Sequence, residues 1–480
     1  MPVTHLNDFS DRFSPMLVKE LRQGLRAKTF LVVFLSLQVF LAVMMFSATA
    51  TSSSDQVGDV VSGIIFGFFA VAVLLVQPLR GISALSSEVK SNTLDMMALT
   101  RLSSAKIVIG KWVAIVSQTA LLLSTIVPYL ILRYFFGGMN LFGELVMLAL
   151  LFLTSIALTA VTVGLSGCSS VIIRSLLPIF GLPALLWSLL MVLSFGMRGV
   201  GFSDFFSLAD NTARVSVALY VVCITYVGVS MLSLGASLIA PAAENHSVWR
   251  RLFALVAMLV VIPLCYFDVV DEGWHAMLVF VIAAPAIVIA LSESAPLVST
   301  VCEPFVKRGP IGKAVGLLFY PTWPSGVLFA VLLGVLGLAA IFVHPMIRVS
   351  GSWGKDETTV TLAFMGSLFF PAVWQAFLFR GDGQRIAHYL LLLVGSYVML
   401  GILHMLADAM NSADFLWFFA WHPLSFIAMV DEGKSPDMVY LTWAAVVDAL
   451  LMTVLVVQAL LLFLKNSAVI EETENILQSR

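Results

Sequence analysis

The sequence EVKSNTLDMMALTRLSSAKIVIGK, residues 88–111, lies between two long apolar stretches and is one of the longest polar interruptions in the chain. Asn92 and Thr93 are residue types that favour the start of a helix. An apolar row with the i, i+3, i+4 spacing of one helical face follows at Leu94, Met97 and Ala98. This part of the stretch therefore predicts a short amphipathic helix that lies on a membrane surface.

The end of the same stretch predicts a break and a new helix. Ser103 and Ser104 can bond to nearby backbone groups through their own side chains, which marks the interruption. From there we expect a helix to run through Lys111 and into the apolar segment that follows. The stretch is thus interpreted as a surface helix, a break and a membrane span.

The composition excludes a soluble protein. Of the 480 residues, 60% are hydrophobic and 11% are charged, whereas soluble domains carry roughly a quarter charged residues. Apolar runs close to the length of a membrane-crossing helix recur along the whole chain. We therefore predict an all-α polytopic integral membrane protein in the lipid bilayer, with about 12 transmembrane helices in two groups of six.

The twelve predicted spans are placed by their apolar runs. The first six are residues 29–48, 60–79, 112–132, 143–166, 176–196 and 215–239, and the second six are 252–267, 274–291, 324–343, 359–378, 387–407 and 440–464. The aromatic segment FLWFFAWHPLSFIAM, residues 415–429, is cut by Pro423. Its tryptophans and histidine suit an interfacial or re-entrant segment better than a thirteenth span.

The distribution of basic residues predicts the orientation. With twelve spans and both termini cytoplasmic, 20 of the 26 basic residues fall on the cytoplasmic side. The remaining six fall outside: Arg133, Arg198, Arg214, Arg348, Lys355 and Lys434. This bias follows the positive-inside rule and fixes the predicted topology.

The chain is expected to divide at residues 241–248. The predicted parts are a cytoplasmic amphipathic elbow at 1–28, a six-span domain at 29–240, a second six-span domain at 250–465 and a cytoplasmic tail at 466–480. Each six-span group carries a cytoplasmic segment of about 30 residues between its second and third spans, at 80–111 and 292–323. Both segments begin near an Ala-Leu-Ser tripeptide with a glutamate close behind, Glu88 in one and Glu293 in the other.

The amino-terminal residues 12–28 predict a basic amphipathic helix. Its apolar row is Phe13, Leu17, Leu21 and Leu25. Lys19, Arg22 and Arg26 occupy another side, so the helix suits the surface of an anionic membrane.

Two of these regions together resemble the permease subunits of type-2 ABC transporters. In residues 88–111 the resemblance rests on Glu88, Asn92-Thr93-Leu94, Met96-Met97, Leu99-Thr100, Leu102-Ser103 and Gly110-Lys111. At the amino terminus it rests on the elbow-helix pattern Pro15, Lys19, Glu20 and Arg22. The resemblance covers residues 13–135 and extends to the rest only through the number of spans. The segment 292–323 lacks the Thr-Leu and Leu-Thr features, so the second group is either a degenerate permease half or an added membrane domain.

The resemblance implies an ATP-driven transporter, an exporter of the bacterial inner membrane. The region 88–111 would be the coupling helix that docks on a separate ABC-type ATPase subunit, which would bind the ATP and Mg²⁺. The implied contact residues are Glu88, Thr93, Leu94, Met97, Thr100, Gly110 and Lys111. A homodimer or pairing with another permease is also implied if only the first group is permease-like.

The chain itself shows no enzymatic, cofactor or metal motif. It has no Gly-x-x-x-x-Gly-Lys-Ser/Thr sequence, because GPIGK at 309–313 has the wrong spacing and is followed by Ala314. The seven histidines are dispersed and the four cysteines lack metal or disulfide spacing. We therefore expect no enzyme activity, no cofactor, no metal and no nucleic-acid partner.

Asp448 is the candidate intramembrane polar site, because it lies well inside the last predicted span. An unpaired acid at such a depth costs roughly 2.5–3.5 kcal/mol, so it should face the helix bundle or a wet cavity. A structural hydrogen bond and a transport role both remain open for it. The alternatives to the ABC permease are a secondary, ion-coupled transporter and a membrane scaffold without transport activity.

Overall fold

The computed structural model describes residues 15–50, 65–86, 103–134, 141–168, 170, 208, 211–241, 243–267, 269, 272–293, 295–343, 355–378, 385–410, 414–432 and 438–479. This part of the chain is 90% helical and contains no strand. The helical content follows from the bilayer, which offers no partner to exposed backbone groups and so favours helices that satisfy their own.

The chain forms two compact units, Met1–Ile239 and Ala240–Arg480. The described helices of the first unit are α1 Pro15–Leu25, α2 Lys28–Ala50, α3 Ile65–Gly81, α4 Ser104–Tyr134, α5 Leu141–Ser166 and α6 Asn211–Ile239. Those of the second are α7 Ser247–Tyr266, α8 Glu272–Ser292, α9 Ser299–Val306, α10 Gly309–Phe319, α11 Trp323–Phe342, α12 Lys355–Leu378, α13 Arg385–Met410, α14 Ser425–Glu432 and α15 Met438–Ser479. A 3₁₀ helix at Asp414–Phe419 precedes α14.

Ten of the described helices are long and apolar enough to cross a membrane. They are α2, α4, α5, α6, α7, α8, α11, α12, α13 and α15, and each coincides with a predicted span. The predicted span 60–79 is described from residue 65 and forms the shorter apolar helix α3. The predicted span 176–196 lies outside the described residues. The structure thus confirms an all-α multi-pass membrane protein, while the total of twelve spans and the cytoplasmic termini stay predictions.

The first unit has a core built from one face of each span. In α2, Leu37 and Leu41 are fully buried, whereas Val32 and Val39 are more than 60% exposed. The buried face packs with residues of α3, α4 and α5. Because α2 is apolar on all sides, its exposed side chains suit contact with lipid tails.

The helix α5 makes close contacts with both α6 and α3. A Cβ atom at Gly164 of α5 would lie 2.2 Å from the carbonyl oxygen of Met231, so only glycine lets α5 approach α6 there. In α3, residues Val71–Val76 form a π-helical turn. Ser155 of α5 donates a hydrogen bond of 2.6 Å to the carbonyl of Val73 within that turn.

The second unit contains a small core outside its spans. The last helix, α15, continues past the apolar region to Ser479, and Ile470 and Leu477 pack with Cys302, Phe305 and Tyr320 of the α9–α10 region. The segment predicted as a tail at 466–480 is therefore helical through its described residues. The free cysteine thiol is buried, which raises the pKa of Cys302 to about 11, in keeping with a packing role.

A buried ionic cluster joins this small core to the spans of the second unit. Glu293 accepts hydrogen bonds from Arg250, Arg251 and Ser247, and both arginine side chains are at most 5% exposed. Arg251 also donates to the carbonyl oxygen of Leu318. Burial alone would raise the pKa of Glu293, but the charges of Arg251 and Arg250 and the hydrogen bonds outweigh it and hold the pKa below its ordinary value.

The aromatic segment forms a turn that is buried in the second unit. The chain passes through the 3₁₀ helix, turns at residues 420–424 and returns as α14. His422, Leu424 and Phe426 are at most 1% exposed. Phe418 and Trp421 of the same segment are 79% and 49% exposed, so the segment buries one set of side chains and exposes another, and both the re-entrant and the interfacial assignment stay predictions.

We expect Glu293→Gln to lower the stability of the second unit by about 3–5 kcal/mol, because it leaves two buried arginines without a counter-ion. Thermal unfolding in detergent measures the change. The matched control is Glu303→Gln, since its ion pair with Lys307 is exposed and contributes about 0.5 kcal/mol or less. Equal effects of the two variants would contradict the role of the cluster.

The same cluster predicts a pH dependence. Because the folded-state pKa of Glu293 is lowered, its stabilising contribution is complete above the ordinary glutamate pKa of about 4.3 and is lost as the pH falls through the lower folded-state value. The wild-type unfolding temperature should therefore drop in that acidic range. A wild-type profile with the same slope as that of Glu293→Gln would contradict the assignment.

Candidate functional site

The helix that follows the predicted coupling region begins where the sequence indicates. Ser103 is not helical and α4 starts at Ser104, so the predicted new helix is present, whereas the predicted surface helix before it lies outside the described residues. Lys111 therefore lies two turns inside α4, on the part of the helix that leads into the membrane. Gly110, one residue earlier, has open space where a side chain would project.

An ion pair joins α4 to the elbow helix α1. The Lys111 Nζ atom lies 3.1 Å from the Glu20 Oε1 atom. The two side chains are 7% and 19% exposed, respectively. Ion pairs that are shielded from water in this way are less screened by salt than surface pairs. Glu20 and Lys111, which the resemblance assigns to separate motifs, thus form one contact.

A glycine brings the same two helices close together. A Cβ atom at Gly24 of α1 would lie 2.1 Å from the side-chain nitrogen of Gln118 in α4, so a larger residue there has to displace the glutamine. Gln118 also accepts a hydrogen bond from Arg80 at the end of α3. Arg80 donates a second bond, of 3.2 Å, to Gln77 and lies 5.9 Å from the ring centroid of Phe30 at the start of α2.

These contacts make two polar groups that both include a residue of α4. We name them together the elbow cluster, and it consists of the ion pair Glu20–Lys111 and the hydrogen-bonded group of Gln77, Arg80 and Gln118. Its members come from α1, α3 and α4. Arginine and lysine near a span end are stable only when paired or near water, which the cluster satisfies through its glutamate and glutamines.

The outer side of α1 carries a basic groove. It has a volume of about 680 Å³, and its described lining residues are Val18, Lys19, Arg22, Gln23 and Arg26. Three of these five are cationic, so the groove suits an anionic surface such as lipid phosphates. The expectation that the elbow lies on a membrane stays a prediction.

The predicted contact residues Glu88, Thr93, Leu94, Met97 and Thr100 lie outside the described residues. Among the others, Pro15 begins α1 and Lys19 and Arg22 line the groove. Lys111 is buried against α1, which suits a residue that holds two helices together. The assignment of all these residues to an ATPase interface stays a prediction.

Arg80 and Gln77 belong to the site although neither is part of a motif in the sequence. Their signal in the sequence was weak, since Arg80 appears only as one of many cytoplasmic basic residues and Gln77 as one polar residue in an apolar run. Asp448 lies in the second unit and takes no part in the elbow cluster. No group of three or more His, Cys, Asp or Glu side chains that could hold a metal is present in the described part of the chain.

Comparison with known proteins gave no match: neither a family model, nor a curated protein, nor a solved structure is significantly similar to this chain.

Replacing Lys111 by methionine should loosen α1, because Glu20 loses its charged partner. We expect a loss of about 1.5–3 kcal/mol in thermal unfolding experiments and faster trypsin cleavage within α1. The control is Lys106→Met, since Lys106 is an exposed lysine of the same helix. The exchanged pair Glu20→Lys with Lys111→Glu should recover most of the loss. No recovery would mean that the ion pair does not hold the two helices.

Proposed function

We propose that the protein is the transmembrane permease subunit of an ATP-driven ABC transporter. The observations that support this proposal lie in the first unit. The observation that carries the proposal is the Glu20–Lys111 ion pair. It links the elbow helix to the helix that leads from the polar stretch 88–111 into the membrane. The sequence resemblance over residues 13–135, which includes both of these residues, supports the same proposal.

The elbow cluster gives the proposed mechanism a mechanical basis. A force on residues 88–111 from an ATPase would act on the amino-terminal end of α4. Because Lys111 is paired with Glu20 and Gln118 with Arg80, α4 would carry α1 and α3 with it. Closure of an ATPase pair would then move several helices as one body, which is what alternating access requires.

The proposal places ATP binding and hydrolysis on the partner. In this reading Mg²⁺ and ATP bind the ATPase subunit, and this chain supplies the pathway through the membrane. The expected location is the bacterial inner membrane and the expected direction is export. The stoichiometry depends on whether the second unit engages a second ATPase or the chain pairs with another permease.

Purification from the native host in mild detergent tests the proposal. We expect a protein with ATPase activity to co-elute, and its recovery to fall about tenfold or more in the variant that combines Glu88→Ala and Leu94→Ala. The control is Glu357→Gln, an exposed acid on the predicted outer side. Quantitative mass spectrometry and ATP hydrolysis provide the two measurements.

Two outcomes would overturn the proposal. If no ATPase co-elutes and transport follows an ion gradient, the chain is a secondary transporter. If neither an ATPase nor transport is found while other proteins are recruited, the chain is a membrane scaffold.

A further inference from the structure

Asp448 is a buried acid without a hydrogen-bond partner. It lies in the membrane-spanning part of α15 and is 5% exposed. Within the part of the chain that the structure describes, neither of its carboxyl oxygens has a hydrogen-bond partner. A carboxylate that held helices together would accept hydrogen bonds, so its isolation argues against a purely structural role.

The carboxyl group of Asp448 lies directly against the backbone of α12. A Cβ atom at Gly366 would be 1.9 Å from the Asp448 Oδ1 atom, so the acid occupies the space that a side chain would fill. The same Cβ position is 3.0 Å from the Cβ atom of Pro423, in the buried turn at residues 420–424. The acid, the middle of α12 and the turn therefore meet at Gly366.

The turn brings a second titratable group to this region. His422, next to Pro423, is 1% exposed, and neither ring nitrogen has a hydrogen-bond partner. Its ring packs on Phe370, one turn of α12 beyond Gly366, with a centroid distance of 4.2 Å. Trp421 lies on the same phenylalanine, so the imidazole is surrounded by aromatic rings.

No cation of α11, α12 or α14 lies near Asp448. The helix α13 packs beside Ala444 of α15, and its charged residues and histidines, none of which bonds to Asp448, are Arg385, His388, His404 and Asp408. Of the helices packed on the membrane part of α15, α11 has no charged residue, and the charges of α12 are confined to residues 355–357, about 13 Å or more along the helix from Gly366. On α14, Asp431 pairs with His404 at 3.2 Å, and the following residue is another acid, Glu432. A buried carboxylate in such surroundings is strongly disfavoured, whereas the neutral acid is not.

We propose that Asp448 is a proton-binding site, which holds a proton in the packed conformation of the second unit and releases it when α15 separates from α12. The step is a simple protonation: a carboxylate oxygen gains H⁺ and its charge is neutralised. On separation the proton passes to water. Non-helical breaks beside a buried acid are where membrane transporters bind ions, which agrees with the position of the turn.

Infrared spectroscopy of the purified full-length chain in lipid nanodiscs tests this site. At neutral pH the wild type should show the carbonyl stretching band of a protonated carboxylic acid, and Asp448→Asn should lose it. Asp408→Asn is the matched control, because Asp408 is an exposed acid on α13, and it should keep the band. Absence of the band in the wild type would overturn the proposal.

A second measurement separates a proton from another cation. Because the packed state holds one more proton than the unfolded state, the unfolding equilibrium constant should rise by up to tenfold per pH unit above the ordinary aspartate pKa of about 3.9. Asp448→Asn, a neutral isostere, should fold and lose that slope. A stabilisation of the wild type by Na⁺ that Asp448→Asn abolishes would identify a metal cation instead and overturn the proton assignment.

Both measurements use the chain without an ATPase. Their failure would leave the proposed permease function standing, and failure to find an ATPase would leave the proton site standing.

Discussion

The fold depends on one constraint, which is that a bilayer cannot hydrogen-bond to the protein backbone. The described chain meets it by being almost entirely helical, with its irregular buried backbone at the 420–424 turn covered by protein. The hydrophobic effect adds nothing between helices in lipid, so close packing has to hold them. Glycines such as Gly164 and Gly366 permit that packing by removing a side chain where another helix or a carboxyl group approaches.

Charge is arranged under the same constraint. Buried paired charges lie beside the ends of the spans in both units, Glu20 with Lys111 in the first and Glu293 with Arg250 and Arg251 in the second. The first cluster joins an elbow helix to the third predicted span, and the second joins spans to the small α9–α10 core. Paired charges can connect elements at the membrane surface at low cost, whereas the unpaired acid Asp448 is an exception within a span.

The span positions and the start of α4 at Ser104 could be predicted because run length and local side-chain chemistry determine them. The helices α9 and α10 could not, since the segment 292–323 is rich in proline. The structure places Pro310 in the first turn of α10, where a missing N–H has no cost, and Pro304 inside α9. The ion pair of Glu20 with Lys111 and the contact of Asp448 with Gly366 join residues that are far apart in the chain. No local sequence pattern could therefore predict them.

The length of α15 has a geometric consequence. It is one uninterrupted helix of 42 residues, and it carries Asp448 against Gly366 at one level and Glu474 against Lys313, 2.5 Å apart, at another. The two acids are 26 positions apart, or about 39 Å along a helix axis. If this uninterrupted helix rotates about its axis as one body, a rotation that moves Asp448 away from α12 also moves Glu474 away from α10 through the same angle. Rotation of α15 therefore couples the membrane interior of the second unit to its small α9–α10 core.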